Sequence, residues 1–208
     1  MVDPWTHPIQ SRRSPIWGSD DRAALHALSI EKLSYEGSGA ATYARFTMAP
    51  QIAVVGGSEA TAPVIAAAEA VGAALASAGA IVICGGLGGV MAAACRGAKS
   101  AGGLTVGILP GKDPSAANPW VDVVIATGLG EARNSLVVGS AAVVVALDGK
   151  YGTLSEIALA LRVGTPVIGI GIGTWSLSRP DGEVDTGIVP MEDPCAAAAV
   201  ALNLASAR

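Results

Sequence analysis

Two charged residues in a charge-poor sequence stand where chemistry is expected. Arg133 follows the Gly128-Leu129-Gly130 turn, and Glu156 closes the run Gly152-Thr153-Leu154-Ser155-Glu156. A cation on the first turn of a helix opposes the helix dipole, so Arg133 points to a bound anion rather than to helix stability. Gly152-Thr153 reads as the start of a helix. There the Thr153 hydroxyl and adjoining amides either hold a phosphate or serve as an ordinary N-cap. Glu156 stands where a capping-box carboxylate sits; its functional alternative is a carboxylate aimed into a pocket to position water or stabilise developing positive charge.

Glycine clusters surround these residues: Gly56-Gly57-Ser58, Gly85 to Gly89, Pro110-Gly111, Gly128 to Gly130, and Gly149 to Gly152 with Lys150 between. Each falls at the end of an apolar run. One such turn is a cheap route to positive φ, but five along one rim describe an anion or nucleotide pocket. The familiar fingerprints fail. Met91 occupies the last glycine position of a GxGxxG around Gly86-Leu87-Gly88, and no acidic residue closes the second strand to hold a ribose. Gly149-Lys150 lacks both the upstream glycine of a Walker A loop (Val144 is there) and the following Ser or Thr. What is left is phosphate without triphosphate chemistry: a nucleoside monophosphate or a larger phosphate-bearing cofactor.

The elements that must present these turns follow from the apolar pattern. Short β-branched runs at Ile52–Val55, Ala80–Cys84, Leu104–Leu109, Val121–Ala126, Ala142–Leu147 and Pro166–Ile170 predict six buried strands. Between them lie a helix that Thr61 can cap and Gly79 closes, a helix from Gly89 through Ala101, one from about Glu131 and one over Thr153–Val163. After a loop to Pro190, Asp193 caps a last alanine-rich helix. Strands alternating with helices predict a single-domain α/β fold, an open, doubly wound parallel sheet with helices on both faces. In that architecture ligands bind outside the carboxyl ends of the strands, where the glycine clusters lie.

Composition narrows the class. The 208 residues are 51% hydrophobic and 14% charged, with a net charge of −4, which argues against a nucleic-acid surface. Cys84, Cys95 and Cys195 show neither disulfide nor zinc spacing, which fits a reduced, cytoplasmic setting and no metal site; Cys84 reads as a small buried hydrophobe. The two histidines, His7 and His26, both precede the folded body, so His-based triads are excluded there. Glycines interrupt the uncharged stretch 71–95, so no membrane span is expected, and no signal peptide is seen. Residues 1–47 carry prolines, Trp5, Trp17 and an Arg pair without sustained period, and read as an N-terminal extension before the domain at 48–208. The alternative is that its tryptophans pack on a partner.

Together, Gly85-Gly86-Leu87-Gly88-Gly89-Val90-Met91, the Gly102-Gly103…Gly107…Pro110-Gly111 run, Arg133 and Gly152-Thr153-Leu154-Ser155-Glu156 resemble the Lonely Guy superfamily, long labelled lysine decarboxylase-like. The resemblance covers about Gln51 to Gly173. It implies a Rossmann-like, dimeric or higher-oligomeric nucleotide-binding protein. The best-known members are phosphoribohydrolases that split a nucleoside 5′-monophosphate into base and ribose 5-phosphate, with no cofactor required. A sister branch is the molybdenum-cofactor carriers, which bind a phosphopterin without turnover. The family's P-G-G-x-G-T-x-x-E box falls on Asp148, Gly149, Lys150, Tyr151, Gly152, Thr153 and Glu156, and its Arg-Lys pair on Arg133-Asn134. The resemblance therefore implies Arg133 and Glu156 as the catalytic pair. Phosphate or nucleotide binding is expected from Gly57, Ser58, Gly86, Gly88, Gly89, Met91, Pro110, Asn134, Gly149, Lys150, Gly152 and Thr153. Asp148 for proline, Lys150 for glycine and Asn134 for lysine depart from the hydrolases, and the Arg133-Asn134 pair and the Leu154-Ser155-Glu156 ending look more like the carrier branch.

Overall fold

The computed structural model describes residues 48–171, 182–183 and 187–207. The expected N-terminal extension and its tryptophans lie outside the described residues. The chain forms β1 (Gln51–Gly56), α1 (Ala62–Ser77), β2 (Ile81–Cys84), α2 (Val90–Ser100), β3 (Thr105–Leu109), β4 (Val123–Ala126), α3 (Asn134–Gly139), β5 (Val143–Leu147), α4 (Tyr151–Val163), β6 (Val167–Ile170), β7 (Ile188–Met191) and α5 (Pro194–Ser206). Short 3-10 turns span Pro114–Ala116 and Gly130–Arg133. All strand pairs are parallel, in the order β4-β3-β2-β1-β5-β6-β7. The expected doubly wound, Rossmann-like sheet is what forms.

Both faces of the central strands are covered, which is why they read as unbroken apolar runs. Ile52, Val54, Val82 and Val145 pack on one face against Val71 and Leu75 of α1, Ala94 and Ala98 of α2, and Ala197 and Ala201 of α5. Ala53, Val55, Ile83 and Val144 face the other way, onto Val137 and Val138 of α3 and Ile157 and Ala160 of α4. Chain direction across the sheet reverses between β1 and β5, where Gly56 pairs with Leu147. The loops leaving these two strands therefore emerge side by side, at the point where such sheets bind ligands.

Helix ends follow local chemistry with some departures. Asp193 caps α5, its Oδ1 accepting from Ala196 N at 2.6 Å, and Gly79 ends α1 at φ +80°. Thr61 holds the N-cap position of α1 but makes no side-chain capping bond. The helix expected from Glu131 begins instead at Asn134, because Gly130–Arg133 winds as a tighter 3-10 turn. α4 starts at Tyr151 with Lys150 as N-cap, so Thr153 lies inside the first turn and is not the cap. β4 begins later than expected. Asp122 is occupied with Thr105 instead: its amide donates to Thr105 Oγ1 at 2.9 Å and its carboxylate accepts from Thr105 N at 3.0 Å.

The strand β7 was not expected, because Pro190 reads as a loop residue. An edge strand accepts proline when the missing N–H faces away from the ladder.

Helices α1 and α2 approach closely through two glycines. A Cβ at Gly72 would stand 2.0 Å from Ala94 O, and one at Gly97 would stand 1.9 Å from Glu69 O. Backbone cannot yield as a side-chain end does. Gly72→Ala is expected to destabilise the fold by about 1–3 kcal/mol through overpacking, measured by urea unfolding; an unchanged midpoint would mean the helices separate freely.

Candidate ligand-binding site

The loop after β1, the loop after β5, the 3-10 turn before α3 and the first turn of α4 enclose a pocket of about 230 Å³. The two loops touch: a Cβ at Gly57 would lie 3.6 Å from Gly149 Cα. Asp148 turns the chain into α4 at φ +49°, a left-handed conformation that Asp tolerates better than most residues. Gly149 follows at φ +109°, and a Cβ there would meet Thr153 Oγ1 at 2.1 Å. Leu154 N is the first amide of α4 to bond back, to Lys150 O at 3.0 Å. The amides of Gly152 and Thr153 therefore stand where a helix offers donors to an anion.

Arg133 is 6% exposed, as is Glu156. Its Nη1 donates to Glu156 Oε1 at 3.3 Å and, by a short contact, to Asn134 Oδ1. The Asn134 amide nitrogen in turn donates to Ser155 Oγ at 2.7 Å. Nη2 lies over Gly85, where a Cβ would come within 2.6 Å of it and 2.8 Å of Met91 Sδ. Arg133 Nε is buried and has no hydrogen-bond partner. A buried donor left open is costly. Burial pushes the Glu156 carboxyl up to about 7; the Arg133 charge pulls it down, and the Glu131 carboxylate adds to the rise.

Of the residues expected from the sequence, Gly57, Ser58, Met91, Arg133, Asn134, Gly149, Lys150, Gly152, Thr153 and Glu156 line this pocket. Gly86, Gly88, Gly89 and Pro110 do not. Gly86 is buried, donating to Cys84 Sγ at 3.3 Å, and its carbonyl accepts from Asn118 N at 2.9 Å. Gly89, at φ +59°, lies against Gly57 and Ser58, and Val90 N donates to Gly57 O at 3.0 Å. That amide at the start of α2 is thus used by the β1 loop. Pro110 O accepts from Gly130 N at 2.9 Å and so anchors the turn carrying Arg133.

Gly56, Glu59, Leu87, Glu131 and Asp148 line the pocket without having been singled out for binding. Their position within or beside the glycine clusters was the available signal. Cys84 and Cys95 are free thiols 3.4 Å apart, packed with Met91 behind the pocket wall. Their proximity is invisible in a sequence spacing that spans a turn and half a helix. Among the described residues no group of three His, Cys, Asp or Glu stands where it could hold a metal ion, and no helix is long and apolar enough to cross a membrane.

Residues 49–196 match the model of the SLOG cluster4 family. The chain belongs to the SLOG cluster4 family. The expected Lonely Guy-like, Rossmann-type relationship stands at that level, and solved structures similar to this SLOG chain share its fold. The molybdenum cofactor carrier protein of Chlamydomonas reinhardtii is 34% identical, with a TM-score of 0.65 over 76% of this chain and 99% of that one. A molybdenum cofactor binding protein from the phototrophic bacterium Rippkaea orientalis is 44% identical, with a TM-score of 0.59 over 60% of this chain and 77% of that one. An uncharacterized protein of Archaeoglobus fulgidus is 46% identical over 117 residues, covering 56% of this chain and 77% of that protein.

The Glu156 proton gives this SLOG protein a testable pH signature. Its carboxyl titrates at about 7 when folded against 4.5 ordinarily, so the folded state keeps a proton the unfolded chain releases. Stability from that proton is complete below the ordinary value and is lost as pH rises towards 7. The unfolding free energy of the wild type minus that of Glu156→Gln should fall by about 3 kcal/mol between pH 4 and pH 8, read from urea titrations. A pH-independent difference would mean that Glu156 is ionised throughout.

Proposed function

We propose that the pocket binds a phosphorylated small molecule and holds it without turnover, as a carrier of the molybdenum cofactor. The observation that carries this reading is the engagement of Glu156, which is held by the Arg133 guanidinium beside Asn134 in the pocket. Buried and paired with Arg133 at 3.3 Å, and pushed up to about 7, Glu156 is only partly ionised at neutral pH, and the guanidinium already takes up the negative charge that an oxocarbenium-like transition state requires. The binding half of the site is intact. Arg133 has an unused buried Nε, and Gly152, Thr153 and Lys150 line the same pocket, where the first-turn amides of α4 and the ammonium can receive a phosphate. The cargo would be held through its phosphate and pterin by these donors, while Glu156 and Asn134 keep the guanidinium in place. The likeness to the Chlamydomonas and Rippkaea proteins supports the same reading.

A second reading is hydrolysis of a nucleoside 5′-monophosphate to base and ribose 5-phosphate. It is favoured by one observation: Arg133 and Glu156 line a single pocket and touch. A carboxyl at about 7 is suited to a general acid that protonates the departing base. On either reading the chain works as a homodimer or higher homo-oligomer in the cytoplasm. Support for self-association comes from Val123 and Ile125, each 44% exposed on the edge strand β4.

Molybdenum measured by mass spectrometry, and pterin fluorescence after oxidation, are expected in the protein purified from cells that make the cofactor. Both should drop at least about tenfold in Arg133→Ala, which loses a charge-assisted contact. Incubation with AMP, GMP, CMP, UMP and IMP should then release no base. A base peak that disappears in Glu156→Gln would replace the carrier reading with the hydrolase. Sedimentation velocity reads the oligomer; a monomer at all concentrations would remove that part of the proposal.

A further inference from the structure

Behind the pocket wall stands a pair of thiols that neither functional reading uses. Cys84 ends β2, Cys95 lies midway along α2, and their sulfurs come within 3.4 Å. Both side chains are fully buried. Each sulfur also has a polar neighbour. The Gly86 amide donates to Cys84 Sγ at 3.3 Å, and the Asn118 side chain bears on Cys95. Hydrogen bonds from Cys84 and Asn118 draw the Cys95 thiol down, whereas the contact with Cys95 and burial push Cys84 up. Cys95 is therefore the readier thiolate, and Cys84 keeps its proton. Met91 packs with both cysteines and also lines the ligand pocket, so one side chain borders the thiols and the pocket alike.

We infer that Cys84 and Cys95 are a modification site: hydrogen peroxide reaching them by way of the pocket converts the pair to a disulfide, and the new bond shifts the wall on which Arg133 rests. The Cys95 thiolate attacks a peroxide oxygen and the O–O bond breaks. The departing hydroxide takes up the proton that Cys95 had released. The Cys84 sulfur then attacks the Cys95 sulfenic acid, the S–O bond breaks, and hydroxide leaves as water with the Cys84 proton. Two thiols lose two electrons, and one peroxide becomes two waters. Closing the 3.4 Å contact to a covalent bond requires one partner to move. On α2, Ala94 and Gly97 flank Cys95 and abut the backbone of α1, and Arg96 is paired with Glu69 at 2.6 Å. The movement therefore falls on Cys84 and on the adjoining Gly85. A Cβ on Gly85 would lie 2.6 Å from Arg133 Nη2 and 2.8 Å from Met91 Sδ, so a shift there is felt by the guanidinium.

The full chain carrying Cys195→Ser, which removes the exposed thiol on α5, is treated with hydrogen peroxide, unfolded in an alkylating agent and analysed by mass spectrometry. The folded protein is expected to lose the mass of two hydrogens and to take up no alkyl group, and prior reduction should restore two. With Cys84→Ala, Cys95 should stop at the sulfenic acid and be captured by dimedone at least about tenfold faster than Cys84 is in Cys95→Ala. In the proton–nitrogen correlation spectrum, the Arg133 Nε–H resonance, identified by its loss in Arg133→Lys, should move beyond its linewidth on oxidation and return on reduction. Arg96, on the fixed helix, should keep its resonance. A disulfide that forms only after unfolding, or oxygen added at Met91 with both thiols still alkylated, would overturn the site. A disulfide that leaves the Arg133 resonance in place would overturn its link to the pocket.

Discussion

A guanidinium taken out of water governs this site. Isolating an arginine from solvent costs several kcal/mol unless partners replace its hydration. Arg133 finds two: the Glu156 carboxylate at 3.3 Å and the Asn134 side-chain oxygen. The surrounding backbone is shaped for the same purpose. Gly85 has no Cβ because the guanidinium lies there, and the turn before α3 tightens to 3-10 geometry so that Arg133 points inwards. Asn134, which stands where hydrolases carry a lysine, passes the restraint on to Ser155 of α4. One donor, Nε, is left over.

Much of this was legible in the sequence, for reasons that differ by residue. The strands at 52–55, 80–84 and 142–147 announced themselves because a parallel strand buried on both faces has no polar alternation to confuse it. Arg133 and Glu156 stood out because charge is scarce and both follow glycine turns. Other features were out of reach. The Cβ clearance at Gly85, the contact of Gly89 with the β1 loop and the adjacency of Cys84 and Cys95 are properties of elements brought together in space. Pro190 misled because the rule that keeps proline out of strands lapses at an edge. Thr153 misled because a Gly-Thr pair looks like a cap whether or not the helix began earlier, at Tyr151.

The two functional readings of the pocket differ by little more than a proton. A carboxylate that is charged when substrate is bound stabilises an oxocarbenium-like centre, and a neutral one does not. Burial moves Glu156 to about 7, into the range where ligand charge decides its state. The two readings thus share one fold and one pocket.

The sheet also ends differently on its two sides. β4 closes one side with an ordinary run, Val-Val-Ile-Ala, whose outer backbone groups can accept another strand. β7 closes the other with Ile-Val-Pro-Met, and Pro190 has no hydrogen to give. A strand arriving there from another molecule meets a gap in the row of donors. Proline in that place is a known guard against runaway edge-to-edge aggregation. Sheet growth between molecules is thereby discouraged at β7.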